Sequence, residues 1–240
     1  MCGRFTLIDP EQALTVQFNM PAIPGLKPRY NIAPSQPVLA VRPAPKGGDR
    51  EAVLLTWGLV PFWAKDPAIG ARLINARAET VAEKPAFRAA FRRRRCLVLA
   101  DGFYEWQRPV GGQEGRQPYY VRLREGRPFA FAGLWEHWEG ADGSVIESCT
   151  LLTTAANDLL RAVHNRMPVI LSPPNYDLWL DTTAQAGDRL KSLLHPYPPE
   201  EMEAYAVSRW VNNPRNDDPR CIEPLAQQPG LRAWPDRKES

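Results

Sequence analysis

The chain has 240 residues with 30 Lys and Arg against 27 Asp and Glu, a net charge of only +3. That length supports one sizeable core, and the charge balance gives no global nucleic-acid signature, so any basic surface must come from local arginine placement. Its 25 prolines and 16 glycines stay below the roughly 25–30% combined share of low-complexity disorder, which leaves a folded, loop-rich protein.

In chain order, strands are predicted at Pro37–Val41, Ala52–Trp57, Cys96–Ala100, Tyr119–Leu123, Phe129–Leu134, Thr150–Thr154 and Tyr205–Trp210. Each is short, rich in β-branched or aromatic residues, and bounded by Pro, Gly or Asp. Helices are predicted at Lys84–Arg94, where Phe87, Ala90 and Phe91 fall at i, i+3, i+4, and at Asn157–Val163, Asn175–Leu180 and Ala186–Leu194. Strand mostly follows strand, with helices inserted. The order predicts an α+β fold, a single domain with a mostly antiparallel, barrel-like β core and short flanking helices. That domain is expected over residues 1–225, followed by a polar tail over 226–240.

Four cysteines (Cys2, Cys96, Cys149, Cys221) show no CxxC spacing and only three histidines accompany them, so neither a zinc site with close ligands nor a disulfide framework is expected. Cys96 and Cys149 lie in apolar runs and read as small buried hydrophobes. There is no basic stretch leading into an apolar core at the N-terminus and no apolar run of about 18 residues. The expectation is a cytosolic protein with no membrane segment.

The first residues, MCGRFT, carry the most unusual chemistry. Excision of Met1 leaves Cys2 with a free α-amine beside its thiol. Such a 1,2-aminothiol condenses with an aldehyde to an imine, which the thiol closes to a thiazolidine. An α-amine ordinarily titrates at about 7.7–8.0, so part of it is neutral at physiological pH. The alternatives are an acyl-transfer nucleophile using its own amine as base, and an ordinary second residue.

Polar residues stand in unusual places elsewhere. RLINARAET holds Asn75, Arg77 and Glu79. CLVLADGFYEWQ leaves an apolar strand and runs into Asp101, Tyr104 and Glu105. A carboxylate there, flanked by Phe103, Tyr104 and Trp106, is either desolvated into the working range of a general acid–base or a solvated turn residue. His164, beside Asn165 and Arg166, is either a structural histidine or a proton shuttle. VSRWVNNPRNDDPRCIEPL reads as a hydrogen-bonded loop in which Ser208, Arg209 and Asn212 are candidate site residues. TWGLVPFWAKD places Trp57, Phe62, Trp63 and Lys65 together. Core packing is the expectation for Trp57, and base stacking is open to Phe62 and Trp63. Arg4, Arg77 and Arg166 each lie beside a candidate reactive residue, where they can hold phosphates. The block Arg92–Arg95 reads as a solvated helix end complementing the helix dipole.

Taken together, MCGRFT, RYNIAPSQ, WGLVPFWAKD, INARAET, CLVLADGFYEW, AGLWE, TTAAN, HNRMPVIL and VNNPRNDDPRCIEPL resemble, in order and over residues 2 to about 225, the SOS-response-associated peptidase (SRAP) family. The resemblance implies a sensor and shield of abasic sites in single-stranded DNA, crosslinked through a thiazolidine at Cys2 after autoproteolytic or aminopeptidase removal of Met1. It further implies that Asn75 orients the sugar aldehyde, Glu105 shuttles protons, and His164 acts as acid or base in forming and reversing the Schiff base. Arg4, Arg77 and Arg166 match phosphate contacts and Trp63 a loop aromatic near DNA. Phe62 stands where a smaller polar residue is expected. No cofactor or metal is expected, the default oligomeric state is a monomer, and no replication partner is legible. The competing classes are an N-terminal-cysteine amidohydrolase or thiol peptidase, and a non-covalent reader of single-stranded DNA.

Overall fold

The computed structural model describes residues 2–45, 50–109, 115–183 and 187–225, so the predicted tail and the first residue of the predicted helix Ala186–Leu194 lie outside the described residues. Among the described residues, thirteen strands form two sheets. In chain order they are β1 (Phe5–Leu7), β2 (Arg29–Ile32), β3 (Pro37–Pro43), β4 (Arg50–Trp57), β5 (Asn75–Arg77), β6 (Arg95–Ala100), β7 (Gly102–Gln107), β8 (Gln117–Leu123), β9 (Phe129–Glu139), β10 (Val145–Ala155), β11 (Arg166–Pro168), β12 (Ile170–Leu171) and β13 (Met202–Ala206). The helices are α1 (Glu11–Phe18), α2 (Arg88–Arg93), α3 (Tyr176–Leu180) and α4 (Asp188–Lys191).

Strands β10, β4, β3, β6 and β9 close on themselves, because β9 pairs back with β10 from Val145↔Glu139 to Leu151↔Gly133. The result is a five-stranded barrel, antiparallel except for the short β10–β4 contact. Closure removes the free edges that long apolar strands such as β6, buried at every position, would otherwise expose. A second sheet, ordered β13-β8-β7-β1-β2, lies against this barrel. Phe5 of β1 joins the two: its ring meets Trp57 at 5.1 Å and Phe131 at 5.6 Å, both edge-on, the favourable geometry for aromatic pairs. Cys2 and its strand are thereby fixed to the barrel core.

The chain crosses directly from β6 of the barrel into β7 of the second sheet, with Asp101 at the crossing. The Asp101 carboxylate is buried and accepts from the Thr6 hydroxyl, the Ile8 amide and, at 3.0 Å, the Asp9 amide. It therefore clamps the end of β1, and the solvated-turn alternative for this residue does not hold. Gly102 follows because the Tyr120 hydroxyl occupies the space where a side chain would start, 2.1 Å from an ideal Cβ.

Three local expectations are corrected. Asn157–Val163 is a run of turns rather than a helix: the Asn157 side chain caps Leu160 N–H at 3.0 Å and ties itself to the Tyr197 carbonyl at 2.8 Å, the local competition that keeps Asn out of helices. The last strand ends at Ala206, not Trp210: Val207 N–H still donates to Pro118 O at 3.1 Å, but Pro118 has no N–H to return, the Val207 carbonyl accepts from Gln117 Nε2 instead, and Ser208 then caps a 3-10 turn at Trp210. The block Arg92–Arg95 is not uniformly solvated. Arg95 is fully buried, donating at 2.7 Å to Trp179 O and at 2.8 Å to Phe91 O and Arg92 O. Trp57, Cys96 and Cys149 are buried as expected. No helix among the described residues is long and apolar enough to cross a membrane.

Candidate functional site

Strand β1 pairs with β7 at Phe5↔Phe103, and the Tyr104 amide donates to Arg4 O at 3.0 Å. Carried back along the same register, Gly3 falls opposite Glu105, which brings Cys2 alongside that carboxyl. Alternation along β7 does the rest. Phe103 faces the barrel against Phe131, and Glu105 shares its face. Glu105 is only 2% exposed, and burial lifts its carboxyl to about 7. A group poised there gives and takes protons near neutrality.

Cys2 is itself fully buried, and its Sγ lies 3.7 Å from the Arg4 carbonyl. Burial, reinforced by the negative charge of Glu105, pushes its thiol well above the ordinary range. From the other side, β5 runs parallel to β10 and delivers Asn75, whose Nδ2 donates to Cys2 O at 2.8 Å. The Asn75 Oδ1 is buried with no hydrogen-bond partner among the described residues. A buried amide oxygen without a donor is costly to keep. It is a ready acceptor for an incoming hydroxyl or amine.

His164 follows the turns after β10 and lies within the field of the chain's N-terminal amine. The Arg166 amide donates to its Nδ1 at 3.0 Å, which favours the neutral tautomer with its proton on Nε2. Partial burial lowers its pKa, in the direction of the neutral ring. The loop before it is held to β7 by Gln107, which donates to Ala162 O at 3.3 Å.

The three arginines differ. Arg77 is exposed at the end of β5. Arg166 places its fork on Glu79, with Nη1–Oε1 2.5 Å and Nη2–Oε2 3.0 Å, and reaches Thr153 O at 2.5 Å. Arg4 turns inward, donating at 2.8 Å to both Asn31 Oδ1 and Val211 O. Its guanidinium braces the 211–216 loop. Phe62 and Trp63 project at 57% and 49% exposure, and Trp63 shares an open surface pocket with Lys65 and Arg72.

Two supporting residues do not stand out in the sequence. Asn31 is fully buried, and its Nδ2 donates to Val211 O, Asn213 O and Asn216 O. Asp217 accepts from the Arg29 side chain and from the Tyr30 and Asn31 amides. Their signal is a polar residue inside the apolar stretch RYNIAP and the first of two adjacent aspartates in NNPRNDDP. Of the loop residues singled out, Ser208 is a turn cap and Asn212 accepts from Trp106 Nε1 at 2.8 Å. Among the described residues no group of three or more His, Cys, Asp or Glu is arranged to hold a metal ion.

Comparison with known proteins identifies the family. The chain is 44% identical over 226 residues to the Bacillus subtilis abasic site processing protein YoqW, spanning 93% of this chain and 99% of that one. It is 31% identical to the mouse abasic site processing protein HMCES, over 93% of this chain and 76% of that one. A crystallised Bacteroides thetaiotaomicron protein superposes with a TM-score of 0.83 over 94% of this chain and all of its own, at 24% identity, which speaks for the fold. A Bordetella bronchiseptica protein superposes at 0.72, with 28% identity, over 86% of this chain and all of its own. Residues 1–214 match the family described as SOS response associated peptidase (SRAP), and the chain belongs to that family.

Proposed function

We propose that this chain processes abasic sites in single-stranded DNA by capturing the sugar aldehyde covalently on Cys2 once Met1 has been removed. The observation that carries the reading is the convergence on Cys2 of an amide that holds its carbonyl, Asn75, and a carboxyl raised to about 7, Glu105. The abasic site processing for which its relatives are named supports the same substrate.

The deoxyribose at an abasic site is mostly a closed hemiacetal, so the ring must open first. Opening removes the C1′ hydroxyl proton and protonates O4′, a transfer suited to a carboxyl near 7 such as Glu105. The neutral Cys2 amine then adds to the aldehyde carbon, and the carbinolamine loses water to give an imine. The Cys2 thiol adds across C=N, sulfur to carbon and proton to nitrogen, closing the thiazolidine. One water leaves overall. Asn75 orients the aldehyde oxygen, and His164 serves as the acid or base for formation and reversal of the imine. Arg77 and Arg166 hold the flanking phosphates and Trp63 stacks on a base. Holding aldehyde beside amine supplies the entropic part of the acceleration.

A thiolate-first peptidase fits less well, because such enzymes depend on a depressed thiol pKa and the Cys2 environment pushes in the opposite direction. The test is denaturing electrophoresis of the methionine-processed protein with a single-stranded oligonucleotide carrying one abasic site, beside intact DNA and Cys2→Ala. A band surviving denaturation only for the unmutated protein with abasic DNA supports the reading. Its absence, with Met1 verified as removed, refutes it.

A further inference from the structure

Arg166 sits two residues from His164 at the rim of the site, yet both terminal nitrogens of its fork are already engaged by one carboxylate. That carboxylate, Glu79, is about half exposed, whereas the Arg166 side chain is 16% exposed. The arginine is also pinned from behind by Thr153 O. The guanidinium is therefore the fixed member of the pair, and the carboxylate is the removable one. The hydrogen bond from Arg166, with a smaller contribution from the charge of Arg77, holds the Glu79 carboxyl below the usual range. A planar fork that accepts two carboxylate oxygens accepts two phosphate oxygens equally well.

We propose that Glu79 is a resident phosphate mimic. It keeps Arg166 aimed at the backbone position while the site is empty, and a DNA phosphate must displace it. The inference rests on the single-stranded DNA reading above and adds a specificity device to it. Glu79 also lines a cleft with Lys191 and Thr154, so the displaced carboxylate has a cationic side chain to turn toward. A strand with properly placed phosphates can exchange with Glu79, whereas a lone aldehyde cannot, so free sugars and metabolic aldehydes meet a neutralised rim. Glu79 is thus a positioning residue acting through Arg166.

The experiment measures equilibrium binding of a fluorescent single-stranded oligonucleotide without any abasic site, by anisotropy over a salt series. Covalent chemistry thereby stays out of the readout. Glu79→Gln should tighten binding by about three- to fivefold, the range expected for releasing one partly exposed ion pair. The slope of log affinity against log salt should stay within about 0.3 of the unmutated value, because Arg166 reaches the same phosphate in both bound states; steepening by a full contact, about 0.7 on a single strand, would mean that Glu79 is never displaced. Glu79→Ala should do the same, and Glu79→Gln should have no effect in an Arg166→Gln background. Glu83→Gln, an exposed acid of the same cleft, should leave affinity and slope unchanged. Equal or weaker binding by both Glu79 variants, or an equal gain from Glu83→Gln, overturns the proposal. No binding by the unmutated protein overturns this inference together with the single-stranded DNA reading. Binding without a covalent product on abasic DNA refutes only the capture chemistry.

Discussion

Asn75 donates its side-chain amide to the backbone carbonyl of Cys2 across 2.8 Å, joining β5, which pairs parallel with the barrel strand β10, to the first described residue of the chain. The bond fixes Cys2, the residue proposed to react, while the β1–β7 register brings Glu105 alongside it. Its partner oxygen, buried and unbonded among the described residues, faces an unmet demand that a substrate hydroxyl can satisfy. Replacing Asn75 by Ala removes both functions. We expect the single-turnover crosslinking rate to fall by about tenfold to a hundredfold, the effect of leaving a buried carbonyl without its donor. An unchanged rate would remove Asn75 from the mechanism.

Glu105 sets the pH profile. The Cys2 amine becomes reactive as it loses its proton near pH 8, while Glu105 loses its own above about 7. The crosslinking rate should therefore rise and then fall with pH. Glu105→Gln should abolish the falling limb and lower the rate at pH 7 by about a hundredfold or more. A rate profile identical in shape for both proteins would exclude Glu105 as the proton carrier.

The same carboxyl weighs on stability. Its ordinary pKa is 4.5, and burial raises it to about 7 in the folded chain. The folded protein holds this proton more tightly than the unfolded one, so stability is lost as pH rises from about 4.5 through 7. Glu105→Gln escapes that loss. Its Tm should exceed that of the unmutated protein at pH 8 by about 3–8 °C, with the two converging below pH 4.5. The trade of stability for a reactive proton is readable in one pair of thermal melts.

Asp101 carries structure rather than chemistry. Its carboxyl gathers the Thr6 hydroxyl and the amides of Ile8 and Asp9. Burial, with the Asp101 charge added to it, pushes the neighbouring Asp9 up to about 6. Asp101→Ala leaves the partly buried Ile8 and Asp9 amides without their acceptor and should cost about 1–3 kcal/mol in chemical denaturation. Crosslinking should fall with it, because β1 carries Cys2.

The two neighbouring tryptophans give a clean contrast. Trp63→Ala should weaken single-stranded DNA binding by about 1–3 kcal/mol with little change in Tm, since half of Trp63 faces solvent. Trp57→Ala should instead cost about 3–5 kcal/mol of stability, because Trp57 is fully buried against Phe5.

The barrel is the legible part of the fold. β3, β4, β6, β9 and β10 are apolar or β-branched runs between breakers, and such runs announce themselves locally. β7 does not, because GFYEWQ carries Glu105 in mid-strand and reads as a site rather than a strand. β1 and β2 are too short for periodicity, and α1 shows a weak apolar stripe with only Leu14 and Phe18 buried. In the site, residue types at Cys2, Asn75, Glu105 and His164 point to reactive chemistry. That Asn75 and Glu105 come to flank Cys2 depends on registers between strands far apart in sequence, which no local pattern encodes. The same holds for the arginines: that Arg4 braces the 211–216 loop and Arg166 is locked to Glu79 follows only from tertiary neighbours.

Covalent capture on Cys2 is tested most sharply by the intact mass of the denatured product formed with an abasic single-stranded oligonucleotide, before and after borohydride. One adduct is expected, whose mass is that of the chain lacking Met1 plus the DNA, less one water. It should map to Cys2 and be unchanged by borohydride, because a thiazolidine has no C=N bond to reduce. An adduct that gains two hydrogens, one mapping to a lysine, or no adduct at all would contradict ring closure on Cys2.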